Sequence, residues 1–333
     1  MRGELSERQP PSFFEDVSAA AMRRWQQLEA DPDLAVPWRQ LFSQVQSPRH
    51  VLSELLQNAD DVGAKEDHVS IDHNVFVFEH DGDDFDEEQF ISLCRFGFSN
   101  KRKLHTIGFR GIGFKSTFSL GPRVEVCTPS LSVAFEKKRF TEPIWLTKSP
   151  VSHRTRISVT IEDRSRLEEL QKNLAEWTKS PASLLFFRSI RRLTISGQTI
   201  ERKILGNGPV VDSEIVELVG NKTLRVIVCR SKEEPFPREA VDEIRQERFA
   251  EDITLPPCRV EIVIGLEGEQ QLFVILPTEC RPQLPFSSNA PFIQDPARIG
   301  IKDPAISPTN RWLLRRLGEL IADVMMNWLN AHG

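Results

Sequence analysis

The sequence predicts an α/β protein with two domains, and three observations support this prediction. Its 333 residues suit about two domains of ordinary size, at roughly 150 residues each. Some segments carry apolar residues at helical spacing, whereas others alternate apolar and polar residues as strands do. Hydrophobic residues make up 39% of the chain and charged residues 27%, a balance that is typical of globular domains.

Helical spacing occurs at both ends of the chain and between them. Residues 14–28 carry one apolar stripe. Ser47 and Pro48 form the start of a second helix, as N-cap and first-turn residue, and this helix is expected to end near Gly63. The other predicted helices cover 86–96, 114–120, 163–180 and the segment after Ser307-Pro308.

Strands are predicted in both halves of the chain. Residues 69–78 fit a strand, a short turn and a buried strand. Ser180-Pro181 separates the halves, which gives an N-terminal helical segment over 1–46, a first domain over 47–178 and a second over 179–333. The remaining predicted strands lie at 123–135, 154–161, 190–195, 215–219, 224–229, 258–266 and 271–276.

Composition excludes several functional classes. The chain has 43 Lys and Arg against 48 Asp and Glu, so a general nucleic-acid coat is not expected. No apolar run reaches the ~18 residues of a membrane span, and the polar N-terminus lacks the apolar core of a signal peptide. The five cysteines are scattered without CxxC spacing, which favours a reducing environment. We therefore expect a cytoplasmic protein with no membrane partner.

The first candidate site is a polar helix face. Glu54, Asn58 and Asp61 are spaced i, i+4 and i+7, which places them on one face of the second predicted helix. Mg²⁺ prefers oxygen ligands and keeps several waters, so one side-chain oxygen and substrate phosphates can hold it. The face therefore indicates a hydrated Mg²⁺ beside an oriented water. Taken alone, an ordinary exposed polar face is the simpler interpretation.

The second candidate is the Asp81-Gly82 pair, which follows a predicted buried strand. A carboxylate at a strand end can accept a hydrogen bond from an amino group, and a glycine lets the backbone approach a ligand closely. An ordinary acidic turn explains the pair as well.

The third candidate is the glycine-rich segment GFRGIGFKS over 108–116. Its backbone amides and the helix predicted to begin at Phe114 suit an anion, and Lys115 adds a positive charge. The segment departs from a P-loop because Phe114 separates Gly113 from Lys115, and because no buried strand precedes it.

Together, Glu-x-x-x-Asn-Ala-x-Asp, Asp-Gly and Gly-x-x-Gly-x-Gly occur in the order and spacing that resemble the GHKL ATPase superfamily. That superfamily includes gyrase, the ATP-dependent heat-shock chaperone, histidine kinases and MutL. The segments ELLQNADD and GIGFKS resemble sacsin-type ATP-binding regions most, while GFRG also resembles MutL and GFKS the MORC ATPases. The resemblance covers about residues 45–175. It implies the Bergerat α/β sandwich, in which a mixed sheet with helices on one face binds ATP.

The resemblance implies a role for each matching residue. Glu54 would orient or deprotonate the attacking water, Asn58 would bind Mg²⁺, and Asp61 would support the water shell of the metal. Asp81, next to Gly82, would accept a hydrogen bond from the adenine amino group, and Thr155 would lie on the strand that backs adenine. The nucleotide lid and phosphate cradle would comprise Gly108, Phe109, Arg110, Gly111, Ile112, Gly113 and Phe114, with Lys115 nearby.

Two positions depart from the family pattern. The family places its adenine-reading Asp two residues before the glycine, where this chain has His80. Either Asp81 acts at a shifted register, or another group recognises the base. Arg154 also replaces the glycine that the family has before Thr155.

The second half resembles, more loosely, the smaller α/β transducer domain that follows the ATPase domain in the chaperone, MutL and sacsin-like proteins. Residues 183–192 resemble the opening of that domain, and 292–298 resemble the loop that lends a basic residue to the γ-phosphate. Arg298 would then stabilise charge on the transferring phosphoryl group. A surface arginine is the alternative interpretation.

These resemblances imply a Mg²⁺-dependent ATPase that turns over slowly and forms a homodimer when ATP binds. Three roles remain open. One is a chaperone-like conformational ATPase of the sacsin kind, acting on a protein partner or client. Another is a nucleic-acid-associated switch of the MutL or MORC kind, for example in genome defence, and the third is a nucleotide-binding scaffold without hydrolysis. DNA-stimulated turnover that is lost at moderate salt would support the second role, and suppression of client aggregation would support the first.

Overall fold

A computed structural model of the chain describes residues 5–31, 33, 35–36, 48–95, 114–150, 153–248, 255–268, 270–295 and 300–332. The chain folds into two compact units. Unit 1 contains the described residues up to Thr178 together with Arg188–Thr199, and unit 2 contains Lys179–Phe187 and the chain from Ile200 onward.

Unit 1 combines helices with a mixed sheet. Its helices are α1 (Phe14–Ala30), α2 (Pro48–Asp61), α3 (Glu87–Leu93), a 3₁₀ helix (Phe114–Ser119) and α4 (Arg164–Lys179, up to Thr178 in this unit). Its strands are β1 (Leu5–Glu7), β2 (Glu66–Asp72), β3 (Val75–His80), β4 (Arg123–Cys127), β5 (Ser132–Glu136), β6 (Arg139–Trp145), β7 (Lys148–Pro150), β8 (Thr155–Thr160) and β9 (Arg192–Ile195).

The main sheet of unit 1 runs in the order β9-β2-β3-β8-β4-β5-β6. β9 pairs with β2 in parallel, and the other neighbours in this series are antiparallel. β1 and β7 form a separate antiparallel pair. The pairing of β9 with β2 explains why Arg188–Thr199 belongs to unit 1, although the sequence predicts a single boundary between residues 178 and 179.

The core of unit 1 is apolar and includes one face of helix α2. Leu52, Leu55, Leu56 and Ala59 of this helix are at most 1% exposed, and so are Phe76 and Phe78 of β3. Helix α1 also packs in unit 1, where the indole N–H of Trp25 donates to Thr141 Oγ1 of β6 at 2.9 Å. The predicted N-terminal helix is therefore part of the same compact unit as the first predicted domain.

Helix α2 begins and ends where the sequence predicts. It starts at Pro48, and Gly63 follows it with a φ of +78°, in the left-handed region that glycine adopts without strain. The Ala64 amide donates to the Ala59 carbonyl at 3.0 Å across this helix end. The chain then enters β2 within three residues, so the end of α2 and the start of β2 lie close together.

Unit 2 is also a mixture of helices and strands. Its strands run in the order β15-β14-β16-β13-β12-β11-β10, with β14 parallel to β16. Its elements are a 3₁₀ helix (Pro181–Leu184), β10 (Gln198–Asn207, from Ile200 onward in this unit), β11 (Ser213–Val219), β12 (Thr223–Arg230), α5 (Arg238–Arg248), β13 (Glu261–Ile264), β14 (Leu272–Val274), β15 (Leu276–Pro277), β16 (Ser287–Asn289) and α6 (Pro308–His332).

The predicted α/β class is thus confirmed, with a mixed sheet and helices. Where helices are described, each is too short or too polar to cross a membrane. The local predictions need correction in two respects. The segment after Gly113 forms a 3₁₀ helix, and the predicted strands do not include β1, β6, β7, β10 and β16.

Candidate functional site

Helix α2 carries the predicted catalytic and metal-binding side chains. Glu54 is 4% exposed, although it is a carboxylate, and Asn58 and Asp61 are half-buried. The three residues recur at about one turn along a single face of the helix. Because a buried carboxylate is costly unless neighbouring groups stabilise it, the placement of Glu54 is not that of an ordinary solvated residue.

Asp60, to which no sequence motif gives a role, lies between these residues and has a structural task. Its carboxylate accepts hydrogen bonds from the amides of Arg188, Ser189 and Ile190, at 3.1, 2.7 and 3.1 Å. Three amide donors compensate a buried negative charge well. Asp60 therefore fixes the end of α2 to the segment that enters β9.

The Asp81-Gly82 pair closes the turn between α2 and β2. Asp81 Oδ1 accepts from the amides of Lys65 at 2.7 Å and Glu66 at 2.9 Å. A Cβ on Gly82 would lie 2.8 Å from Val62 Cγ2 and 2.9 Å from the Val62 carbonyl oxygen. Asp81 and Gly82 therefore hold the end of β3 against this turn, a task different from the adenine contact that the resemblance implies for Asp81.

A row of buried polar side chains crosses three strands of unit 1. Asp67 of β2 is directly opposite His80 of β3, and His80 is directly opposite Thr155 of β8. Opposed residues on neighbouring strands project from the same face of a sheet. The three side chains are 2%, 6% and 1% exposed. The next rung on this face is apolar and consists of Val69, Phe78 and Ile157.

The oxygens at both ends of this row have no hydrogen-bond partner among the residues that the structure describes. Neither carboxyl oxygen of Asp67 accepts a hydrogen bond from any described residue, and the same is true of the Thr155 hydroxyl oxygen. Buried polar side chains in folded proteins almost always have a partner. Three such atoms in one row make it a candidate site for a polar ligand.

Burial controls the protonation of the row. Burial raises the pKa of Asp67 to about 8, with the nearby carboxylates Asp81 and Asp60 acting in the same direction and Arg154 opposing them. Burial lowers the pKa of His80 to about 4. The Gly82 amide donates to His80 Nδ1 at 3.1 Å, so the neutral ring carries its proton on Nε2.

Arg154, which replaces the family glycine, lies beside the row without joining it. Its guanidinium donates to Glu66 Oε2 at 3.1 Å, and Arg192 donates to the other oxygen of Glu66 at 2.9 Å. Glu66 of β2 thereby links Arg192 of the adjacent strand β9 to Arg154, the residue before β8. Thr155, the next residue, points its hydroxyl into the buried face of the sheet instead.

Lys115 has a different environment from the one predicted for it. Its ammonium donates to the carbonyls of Leu93 at 2.6 Å and Phe140 at 3.1 Å, and lies 5.0 and 5.1 Å from the ring centres of Phe114 and Phe135. Burial lowers its pKa to about 7. In this conformation Lys115 is part of the core, and its predicted contact with phosphates stays a prediction.

Several predicted residues lie outside the described parts of the chain. They are Gly108, Phe109, Arg110, Gly111, Ile112, Gly113 and Arg298. Within the described ranges, no group of three or more His, Cys, Asp or Glu side chains could hold a metal ion. A magnesium ion held by the Asn58 oxygen, phosphates and waters does not need such a group.

Asp67 is the main site residue that sequence reasoning missed. A signal was present, because Asp67, Val69 and Ile71 alternate along β2 and therefore share the face that the apolar residues bury. The significance of this face depends on the registers of β3 and β8, which local spacing does not specify.

No family model matches this sequence, and a search of curated proteins also gives no match.

Proposed function

We propose that this protein is a Mg²⁺-dependent switch ATPase of the GHKL kind, which binds ATP, hydrolyses it slowly and changes its association when the nucleotide binds. The observation that carries the proposal is the polar face of α2. Glu54 is almost fully buried there, with the amide of Asn58 one turn later and the carboxyl of Asp61 beyond it. The sequence motifs that resemble GHKL proteins support the same interpretation.

Each side chain of this face has a distinct role in the proposal. Asn58 provides one oxygen ligand to Mg²⁺, and Asp61 accepts hydrogen bonds from waters around the ion. When bound, Mg²⁺ neutralises charge on the phosphates. Glu54 orients or deprotonates the attacking water, and burial suits either task because it keeps bulk water away from the reacting groups.

Few catalytic groups are needed for this chemistry, since phosphoryl transfer depends mainly on positioning and charge stabilisation. In the proposal, the segment over 108–113 cradles the phosphates through its backbone amides, and Arg298 stabilises charge on the transferring group. Both assignments rest on the sequence motifs alone.

The proposal is tested by measuring phosphate release from Mg²⁺-ATP together with binding of a non-hydrolysable ATP analogue. Glu54→Gln should abolish turnover and keep analogue binding, whereas Asn58→Ala should weaken Mg²⁺-dependent binding. Ser53→Ala on the same helix is the matched control, because the Ser53 hydroxyl donates to the His50 carbonyl at 2.8 Å and has no part in the proposed site. Full turnover in Glu54→Gln would refute the catalytic assignment.

The same samples test the switch. Size-exclusion chromatography with and without the analogue should show a nucleotide-dependent dimer for the wild type and for Glu54→Gln. A wild type that binds the analogue tightly but never hydrolyses ATP would instead be a nucleotide-sensing scaffold.

A further inference from the structure

Asp67 is the buried acid of unit 1 whose chemistry the α2 face does not use. It lies at the start of β2, is 2% exposed, and neither of its oxygens has a hydrogen-bond partner in the part of the chain that the structure describes. An unpartnered buried polar group reduces stability. A side chain that only supported the fold would not need to be an acid here, so the carboxyl group is better explained by a ligand.

The neighbouring candidates already have protein partners. Asp81 Oδ1 accepts from two backbone amides of the α2–β2 turn, and His80 Nδ1 accepts from the Gly82 amide. Among Asp67, His80 and Asp81, Asp67 is thus the residue with two buried carboxyl oxygens that have no hydrogen-bond partner in the described part of the chain. Both oxygens can therefore bond a ligand.

The protonation of Asp67 restricts what that ligand presents. Because burial raises its pKa to about 8, the carboxyl is largely protonated at neutral pH and offers one O–H donor and one acceptor. The base edge of adenine has the complementary pair, an amino group next to an unprotonated ring nitrogen. The hydroxyl of Thr155, two strands away in the same row, can both donate and accept.

We propose that Asp67, in place of the strand-end residues Asp81 and His80, reads the 6-amino group of the purine in the ATP site, with Thr155 as the second polar contact in its row. This inference rests on the proposed function. It assigns recognition of the purine base to a residue at the start of β2. Asp81 and Gly82 then have the structural role of holding the α2–β2 turn in place.

The test compares ATP with purine riboside triphosphate, which has the same ring and phosphates but lacks the 6-amino group. Dissociation constants are measured with Mg²⁺ by calorimetry for the full chain and for Asp67→Ala, Asp67→Asn, Asp81→Asn and Asp72→Asn. Asp72 is the matched control because it lies at the far end of β2 and its side chain is 86% exposed.

The wild type should bind ATP about tenfold or more tightly than purine riboside triphosphate, since losing the amino group leaves a buried acceptor unpaired. Asp67→Ala should lower the affinity for ATP until it is within about threefold of the affinity for the analogue, while the affinity for the analogue itself changes little. Asp67→Asn keeps one donor and one acceptor and should retain most of the discrimination. Asp72→Asn should keep the ratio of the wild type.

Four results would overturn the inference. If Asp67→Ala lowers the affinity for both triphosphates equally, Asp67 has a structural role. If Asp81→Asn loses the discrimination between them and Asp67→Ala does not, the base is recognised at the strand end. A folded wild type that binds neither triphosphate would refute the proposed function, and the inference with it. Binding of both triphosphates with base discrimination independent of Asp67 would refute the inference alone.

Discussion

Replacing Asp67 by asparagine is expected to increase the free energy of unfolding, and to increase it more as the pH rises. The reason is that the folded protein holds this carboxyl in a buried place where ionisation is disfavoured, with a pKa of about 8 against 3.8 for an unperturbed aspartate. Between these values the folded state binds more protons than the unfolded state. The stability of the wild type therefore falls with rising pH across this window.

The size of the effect follows from the two pKa values. Below about pH 4 the carboxyl is protonated in both states and has no pH-dependent cost. Above that point each pH unit costs about 1.4 kcal/mol until the pH reaches the folded pKa. The cost is thus about 2 kcal/mol near pH 5 and about 4 kcal/mol near pH 7, as orders of magnitude. A buried asparagine amide carries its own cost, but that cost does not change with pH.

Urea unfolding of the wild type and Asp67→Asn, at about pH 5, 6 and 7, measures the difference directly. The expected result is a difference that grows by about 1.4 kcal/mol per pH unit. Asp72→Asn, on the same strand but exposed, should show no such growth. A difference between wild type and Asp67→Asn that stays constant with pH would refute the protonation state assigned to Asp67.

Three other substitutions test neighbouring features. Gly82→Ala should destabilise unit 1 by about 1–3 kcal/mol in thermal unfolding, because its Cβ would lie within 3.0 Å of Val62 and Ala64; an unchanged Tm would contradict the close approach. The contribution of Lys115 to stability should rise between about pH 7 and 10, since burial lowers its pKa to about 7; the difference in urea unfolding between the wild type and Lys115→Met should therefore shift in favour of the wild type across this window, and a constant difference would place the titration elsewhere. Thr155→Val should leave the melting temperature unchanged or higher and weaken ATP binding several-fold in calorimetry, whereas unchanged affinity would exclude the hydroxyl from the site.

The helices of the first unit could be predicted because their signals are local. Pro48 and Gly63 delimit α2 as N-terminal and C-terminal signals should, and the spacing of its leucines matches its buried face. The predicted N-cap, Ser47, lies outside the described residues. The short helix over 86–96 is observed as Glu87–Leu93, with Asp86 and Gln89 forming a capping box. These features depend on contacts within a few residues.

The polar row could not be predicted in the same way, because it depends on strand registers. Asp67 and Thr155 are 88 residues apart in the chain, and they become related only through the pairing of β2 and β8 with β3. The sequence likewise predicts that the Asp81 carboxylate binds a ligand. In the structure this carboxylate accepts hydrogen bonds from two backbone amides of a turn 15 and 16 residues earlier, and local spacing does not reveal that contact. Local motifs identify which residues carry chemistry, but the pairing of distant strands decides which of them remain available to a ligand.

The polar row carries almost no net charge at neutral pH, although it contains an acid and an imidazole. Asp67 is mostly protonated and His80 is mostly neutral. A ligand that contacts this row therefore interacts with neutral hydrogen-bonding groups and not with charged ones. Mobile ions screen interactions between charges far more than short hydrogen bonds in a buried site. Added salt should therefore lower the affinities for ATP and for purine riboside triphosphate by the same factor, so that the ratio of the two affinities stays constant across ionic strength.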